Sequence, residues 1–301
     1  MNIVIVGPGA IGSLWAYSLY QAGHKVSLWS KHIRPTSSLT LENVDGEIHP
    51  HISFPAQEYS QLNHADLILV TVKAWQVTQA LSPLLEHIHT DTILMFMQNG
   101  MGATDQLFPA LKHYPTLLAT TTHGAWKPSS DYVRHTGLGQ TTIGALNSKG
   151  ESCQFIADVF EHALPNSLWV NDISVPLWAK LAVNCVINPL TAIHQCKNGQ
   201  LLSDTFTTTI NKLVEELVLV MSQEGISITH AVLRQQILSV AQATADNFSS
   251  MQQDIIHQRP TEIDFINGYL VKIAQQHGIK TPENKQLFQQ IKKLEKQWSQ
   301  L

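Results

Sequence analysis

The chain has 301 residues, 44 % hydrophobic and 14 % charged, with a formal net charge of −4 when histidine is neutral. This balance indicates a globular protein with a sizeable core, excludes a basic nucleic-acid-binding surface, and leaves room for two domains of ordinary size. Three cysteines without CxxC spacing and 15 scattered histidines form neither a disulfide framework nor a metal-ligand pattern, which points to a reducing compartment, the cytoplasm.

A first strand, Ile3 to Val6, begins almost at the initiator Met, so no signal peptide is expected. No apolar run reaches the roughly 20 residues that span a bilayer, so no membrane association is expected. Gly7-Pro-Gly-Ala-Ile-Gly12 follows at once and opens a helix with Leu14, Trp15, Leu19 and Tyr20 on its apolar face. Gly23 stops that helix, and Lys25 to Trp29 reads as a second strand. Strand, GxGxxG, helix and strand within about 30 residues make a dinucleotide-binding βαβ unit. Gly7 makes the tight turn, Gly9 admits the pyrophosphate to the backbone, and Gly12 permits close helix packing, with the anion at the helix N-terminus.

The end of the second strand separates the two nicotinamide cofactors. A site for NAD usually places an acid there to accept from the ribose hydroxyls, yet no Asp or Glu precedes Glu42. Ser30, Lys31, His32 and Arg34 stand there instead, suited to a 2′-phosphate dianion, which favours NADP(H). Residues 39–52 alternate about Asp45-Gly46 as a hairpin. Asp66 to Lys73 is a strand buried on both faces, ending in Lys73-Ala-Trp-Gln76 on the side where such sheets bind ligands. A helix is expected over 77–88, then a strand over 92–97 that runs into Gln98-Asn-Gly-Met-Gly102. Asn99 is a candidate for the cofactor ribose or the substrate, or else the first half of an Asn-Gly turn.

Residues 117–145 read as β-rich. His123 lies among them with no acid near it in sequence, and reads as a structural or loop histidine. A helix over 151–164 and a strand over 167–170 complete the first domain, and a boundary is set near Asn171. The reading is an α/β chain: a Rossmann-type domain over 1–170 and an all-helical domain over 171–301, with a cleft between them.

The second domain opens on Leu177-Trp-Ala-Lys-Leu-Ala-Val-Asn-Cys-Val-Ile-Asn188, apolar except at Lys180, Asn184 and Asn188. Each step of four turns about 40° round a helix axis, so the three polar groups form one stripe. A buried amine and two carboxamides in register imply a shared polar cavity, because each is unfavourable in an apolar core without a partner. Cys185 on the same helix reads as an inert buried thiol. Pro189 is expected to end or kink the helix. Helices are expected over 206–222, 231–248, from Pro260 to Gly278, and after a Thr281-Pro-Glu-Asn284 cap. Asn247-Phe-Ser-Ser-Met-Gln-Gln-Asp254 interrupts them as a polar cluster.

These motifs together, with Trp178-x-Lys-Leu-Ala-Val-Asn-Cys-x-x-Asn-Pro189, Ser249-Ser-Met-x-Gln-Asp254 and Arg259-Pro-Thr-Glu-Ile-Asp-x-Ile-Asn-Gly268, resemble ketopantoate reductases from residue 3 to about residue 284. The resemblance implies reduction of 2-dehydropantoate to (R)-pantoate by NADPH, in pantothenate biosynthesis. It implies Lys180 as the general acid and Glu262 as the carboxylate that orients the substrate hydroxyl and the lysine. It also implies Asn99, Asn184, Asn188, Asn247 and Ser250 as substrate ligands. Gly7, Gly9, Ala10, Ile11, Gly12, Lys31, Lys73, Gln76, Asn99 and Glu262 are implied as cofactor contacts. Lys31 stands where members often carry Arg, and Gln252 where Leu is common. A related reductase of another branched 2-oxo acid, or a non-enzymatic NADP(H)-binding sensor, are the alternatives. The expected partners are small molecules, and the expected state is a monomer or homodimer.

Overall fold

The structure, a computed structural model, describes residues 1–31 and 36–298. His32 and Arg34 lie outside the described residues. The chain divides into two compact units: Met1–Gln98 with Ala103–Ile173, and Asn99–Gly102 with Ser174–Leu301.

The first unit begins with β1 (Asn2–Val6), α1 (Ala10–Gln21), β2 (Lys25–Trp29), β3 (Thr36–Glu42) and β4 (Ile52–Pro55). It continues through α2 (Tyr59–Asn63), β5 (Leu67–Val70), α3 (Val77–Leu81), β6 (Ile93–Phe96) and α4 (Phe108–Leu111). It closes with β7 (Thr116–Thr121), β8 (Gly124–Ser129), β9 (Tyr132–Gly137), β10 (Thr141–Ala145), α5 (Phe155–Ala163) and β11 (Ser167–Trp169). Among the described residues, seven strands form one sheet in the order β11-β10-β7-β6-β5-β1-β2. Every pairing in it is parallel except β10 with β7.

Alternation explains why both faces are covered. Ile3, Ile5, Leu67 and Leu69 point into one core with Leu14, Trp15 and Phe160. Their neighbours Val4, Val6, Ile68 and Val70 point into a second core with Leu62, Val77 and Leu81. Successive strand side chains face opposite ways, so a strand apolar at every position needs helices or sheet on both sides. A second sheet, β4-β3-β9-β8, contributes Leu39, Leu41, Phe54 and Val133 to the first of these cores. The hairpin over 39–52 forms as β3 against β4. Its turn is held by Asn43 Oδ1, which accepts from the Asp45 and Glu47 N–H groups, with Gly46 at φ 85°.

His123 is buried on this unit. Its Nδ1 accepts from Gly139 N–H at 3.1 Å and lies 3.1 Å from His135 Nε2. Burial, then the neighbouring His135, push His123 down to about 4, and burial lowers His135 as well. Both rings are therefore harder to protonate in the folded chain than in the unfolded one. Protons then bind the unfolded state preferentially as pH falls from about 6.5 towards about 4, and stability drops across that window. Urea midpoints measured from pH 7 to pH 4 should show the drop, and His135→Gln should reduce it.

The second unit is helical: α6 (Ser174–His194), α7 (Asp204–Gln223), α8 (His230–Ala243), α9 (Ser250–Ile256), α10 (Asn267–Gln276) and α11 (Pro282–Trp298). Its core gathers Trp178, Leu181, Cys185 and Val186 of α6 with Leu213, Leu217, Leu233, Leu270 and Leu287.

Several expectations need correction. The helix over 77–88 is α3 followed by a 3₁₀ segment, Ser82–His87, because Pro83 brings no N–H to an α-helical ladder. α8 stops at Ala243, five residues early, and beyond it the carbonyls of Ala245 and Asn247 accept from the Gly199 and Asn198 N–H groups. The segment after Pro260 is a 3₁₀ turn, Ile263–Phe265, before α10 begins. α6 neither ends nor stops short at Pro189 but continues to His194. Residues 99–102, assigned to the first domain, pack with the helical unit, and the division falls after Ile173.

Candidate functional site

The parallel register lines up the carboxyl ends of four strands. Val6 pairs with Trp29 and with Val70, and Val70 pairs with Phe96. Gly7, Lys31 and Lys73, which follow these strands, therefore share one sheet edge, the edge at which open α/β sheets take ligands.

Gly7 has φ 90°, and a Cβ there would lie 2.8 Å from Val72 N. At Gly12 a Cβ would collide with Thr71 Oγ1 and lie 2.5 Å from Gly7 O. Gly9, by contrast, is exposed, and a Cβ on it would meet only Gly7 O at 3.9 Å. The three glycines thus do different things: two let the loop fold against β5 and its sequel, and the third keeps a surface open. Gly9 caps α1 without a side chain, and the first turn carries no acid. The N–H groups of Ala10, Ile11 and Gly12 have no acceptor within the helix by α-helical geometry, and they and the helix dipole suit a pyrophosphate. The residues present fit a dinucleotide.

Lys31 is exposed beyond β2, and Ser30 O accepts from the Gln57 amide. Lys73 and Gln76 close a turn on each other: Gln76 N–H donates to Lys73 O at 2.8 Å, and Lys73 N–H to Gln76 Oε1 at 3.2 Å. One group at this loop was not legible beforehand. Lys127 of β8 donates through Nζ to Pro8 O and to Ser13 Oγ, both at 2.7 Å. Burial brings its amine down to about 8, against a smaller upward pull from Asp131. Nothing in the spacing of residues 8 and 127 signals this contact, which arises only when the second sheet packs beside α1.

In the helical unit, α6 presents Lys180 and Asn184 half-buried and Asn188 buried. Lys180 is pushed down to about 8 by burial, and the Glu262 carboxylate acts the other way. Glu262 is itself buried, at the start of the 3₁₀ turn before α10, and Asn99 Nδ2 reaches its Oε2 at 3.4 Å. The Asn99 loop is anchored by Met101 N–H, which donates to Phe265 O at 2.8 Å. Gly100, at φ 80°, permits that approach, since a Cβ there would collide with Phe265 O. Three residues distant in sequence, Asn99, Lys180 and Glu262, are so brought together.

Asn247 and Ser250 are both exposed, at the entry to α9. Their neighbour Ser249 is the buried one. It caps α9 by accepting from Gln252 N–H at 3.1 Å, and it lies 2.7 Å from the Thr191 hydroxyl of α6. Gln252 is buried, and with its amide nitrogen turned to Cys196 O at 2.8 Å its oxygen accepts from Cys196 N–H at 3.2 Å. This side chain therefore ties α9 to the backbone just beyond α6. All three cysteines are free and buried, and burial pushes the Cys185 thiol far up, consistent with an inert side chain.

Two family models match the chain: "Ketopantoate reductase PanE/ApbA" over residues 3–148, and its "C terminal" counterpart over residues 172–295. A 2-dehydropantoate 2-reductase of Vibrio cholerae is 54 % identical over 299 residues, 99 % of each chain. One of Escherichia coli O157:H7 is 39 % identical over 301 residues, 100 % of this chain and 97 % of that one. Among solved structures, a D-mandelate dehydrogenase in ternary complex with NADH and anilino(oxo)acetate superposes with a TM-score of 0.89 at 25 % identity, covering 99 % of both chains. A PanE/ApbA family ketopantoate reductase from Ralstonia eutropha JMP134 superposes with a TM-score of 0.87 at 26 % identity, again over 99 % of both.

Proposed function

Because the chain belongs to the ketopantoate reductase family, we infer that it reduces 2-dehydropantoate to (R)-pantoate with NADPH, a step of pantothenate biosynthesis. The observation that carries this reading is the placement of a half-buried Lys180 amine beside the buried Glu262 carboxylate, with Asn99 bonded to the same carboxylate. When bound, the dinucleotide would supply the hydride that reduces the ketone carbon. Negative charge then develops on the ketone oxygen, and Lys180 neutralises it by giving up a proton from Nζ. Glu262 holds the amine in place and orients the substrate hydroxyl. Asn184 and Asn188, one and two helical steps along the same stripe, bind the keto acid, with Asn99, Asn247 and Ser250 as further ligands. The backbone of Gly9, Ala10, Ile11 and Gly12 holds the pyrophosphate, while Lys73 and Gln76 line the sheet edge beside it. The three free cysteines fit a reducing compartment, the cytoplasm, for an enzyme acting as a monomer or homodimer.

The direct test is oxidation of NADPH in the presence of 2-dehydropantoate, run beside NADH. Rapid turnover with NADPH supports the reading, and none with either cofactor refutes it. A second reading, an NADH-linked reductase of another bulky 2-oxo acid, draws on the likeness to D-mandelate dehydrogenase. Preference for phenylglyoxylate and NADH in the same assay would select it. Lys31 decides cofactor choice in our reading, as a point charge for the 2′-phosphate. Lys31→Ala should raise KM for NADPH by roughly tenfold, the scale of one charge-assisted contact, and leave KM for NADH nearly unchanged. Equal losses for both would remove the residue from that role.

A further inference from the structure

Pro189 sits inside α6 and has no N–H to give the carbonyl of residue 185, four positions back. In an apolar core an unpaired carbonyl is unfavourable, so its partner has to come from elsewhere. It comes from α10: Asn267 Nδ2 donates to Cys185 O at 2.9 Å and to Asn284 Oδ1 at 3.0 Å. Asn284 is held in turn by Glu216, whose Oε2 accepts from Asn284 Nδ2 at 2.8 Å and from Asn284 N–H at 2.9 Å. Glu216 Oε1 accepts from Glu283 N–H at 2.8 Å, so the carboxylate also caps α11. Asn267 and Asn284 are completely buried and Glu216 nearly so.

The orientation of the Asn267 amide follows from these acceptors. Both of its N–H bonds are used, and its Oδ1 is left without a partner. Turning the amide over would satisfy neither acceptor. The side chain is thus committed to the carbonyl that the proline frees, at the expense of its own oxygen.

The position of that carbonyl gives the bond its consequence. Lys180 and Asn184 precede the break, while Asn188 lies within the turn that Pro189 leaves without its helical hydrogen bond. We propose that Asn267 is a positioning residue for the substrate: by binding Cys185 O it replaces the missing bond and fixes Asn188 relative to Lys180 and Asn184. The chain Glu216–Asn284–Asn267 then runs from the cap of α11 to the polar stripe of α6. This rests on the assignment of Asn188 as a substrate ligand.

The test is a compensation experiment. Asn267→Ala leaves Cys185 O unpaired, and Pro189→Ala supplies a new N–H to the same oxygen from within the helix. Asn267→Ala should raise KM for 2-dehydropantoate by roughly tenfold, the scale of one buried hydrogen bond, with a smaller effect on kcat and none on KM for NADPH. Amides 188–193 should exchange hydrogen faster in the same variant. In Pro189→Ala/Asn267→Ala both quantities should return most of the way. If Asn267→Ala does not fold, Asn284→Ala, which removes the group that orients Asn267, reads the same pair of quantities. Unchanged exchange, unchanged substrate KM, or failure of the double variant to recover would each overturn the proposal. Exchange is read without turnover, so inactivity of the unsubstituted enzyme towards every 2-oxo acid refutes the assigned function separately.

Discussion

Lys180→Ala should lower kcat by at least ~10²-fold while the dinucleotide still binds, because general acid catalysis contributes typically about 10² to 10⁴-fold. The variant deletes the amine and leaves the glycine loop of the other unit intact. Calorimetric titration with NADPH should therefore give an unaltered affinity. Near-normal turnover would dismiss Lys180 as the proton donor. Its titration makes a second, sharper demand. With the amine brought to about 8, it is mostly protonated at neutral pH and loses its proton as pH rises, so kcat/KM should fall through about pH 8. Burial is the larger influence and Glu262 opposes it. Glu262→Gln removes the opposing charge, so the fall should move to lower pH. A fall that moves upwards, or does not move, would contradict the pairing.

Gly100→Ala should also be damaging, although residue 100 carries no functional group. Its backbone has φ 80°, where an L side chain is strained by roughly 1–2 kcal/mol. The added methyl would also lie 2.7 Å from the Phe265 carbonyl carbon and collide with its oxygen. The 99–102 loop must then leave the 3₁₀ turn before α10, losing Met101 N–H to Phe265 O and drawing Asn99 off Glu262. We expect a lower Tm and a drop in kcat/KM of at least ~10-fold, about one lost polar contact in the site. Asn99→Ala provides the comparison: it should lower kcat/KM similarly with little change in Tm. Were Gly100→Ala to keep both wild-type values, the loop would not be what holds Asn99.

The dinucleotide loop was legible because its chemistry is local. A strand, three glycines and a helix within one βαβ unit carry their own turn, packing and anion geometry, and neither Gly7 nor Gly12 accepts a Cβ. The stripe of Lys180, Asn184 and Asn188 was legible for the same reason, since helical periodicity alone puts steps of four on one side. The resemblance supplied Glu262, which no spacing argument connects to Lys180. The helix limits were read less well: α8 stops at Ala243, and its sequel bonds the Asn198–Gly199 backbone, while the 3₁₀ run after α3 follows from Pro83 within it.

Pro189 marks the dividing line most clearly. Its missing N–H is a property of the sequence, and from it an end or a kink in α6 is the natural expectation. That the helix instead runs on to His194 was decided by packing, which delivers Asn267 to the orphan carbonyl from 82 positions away. The same holds for Lys127 on the glycine loop and for Asn99–Gly102, which follows β6 in the chain yet packs with the helical unit. Local backbone geometry and residue periodicity determined the nucleotide-binding unit, the helical second half and the polar stripe of α6. Which buried donor meets which orphaned acceptor was left to the tertiary structure, because a hydrogen bond depends on distance in space and records nothing in the chain between its ends.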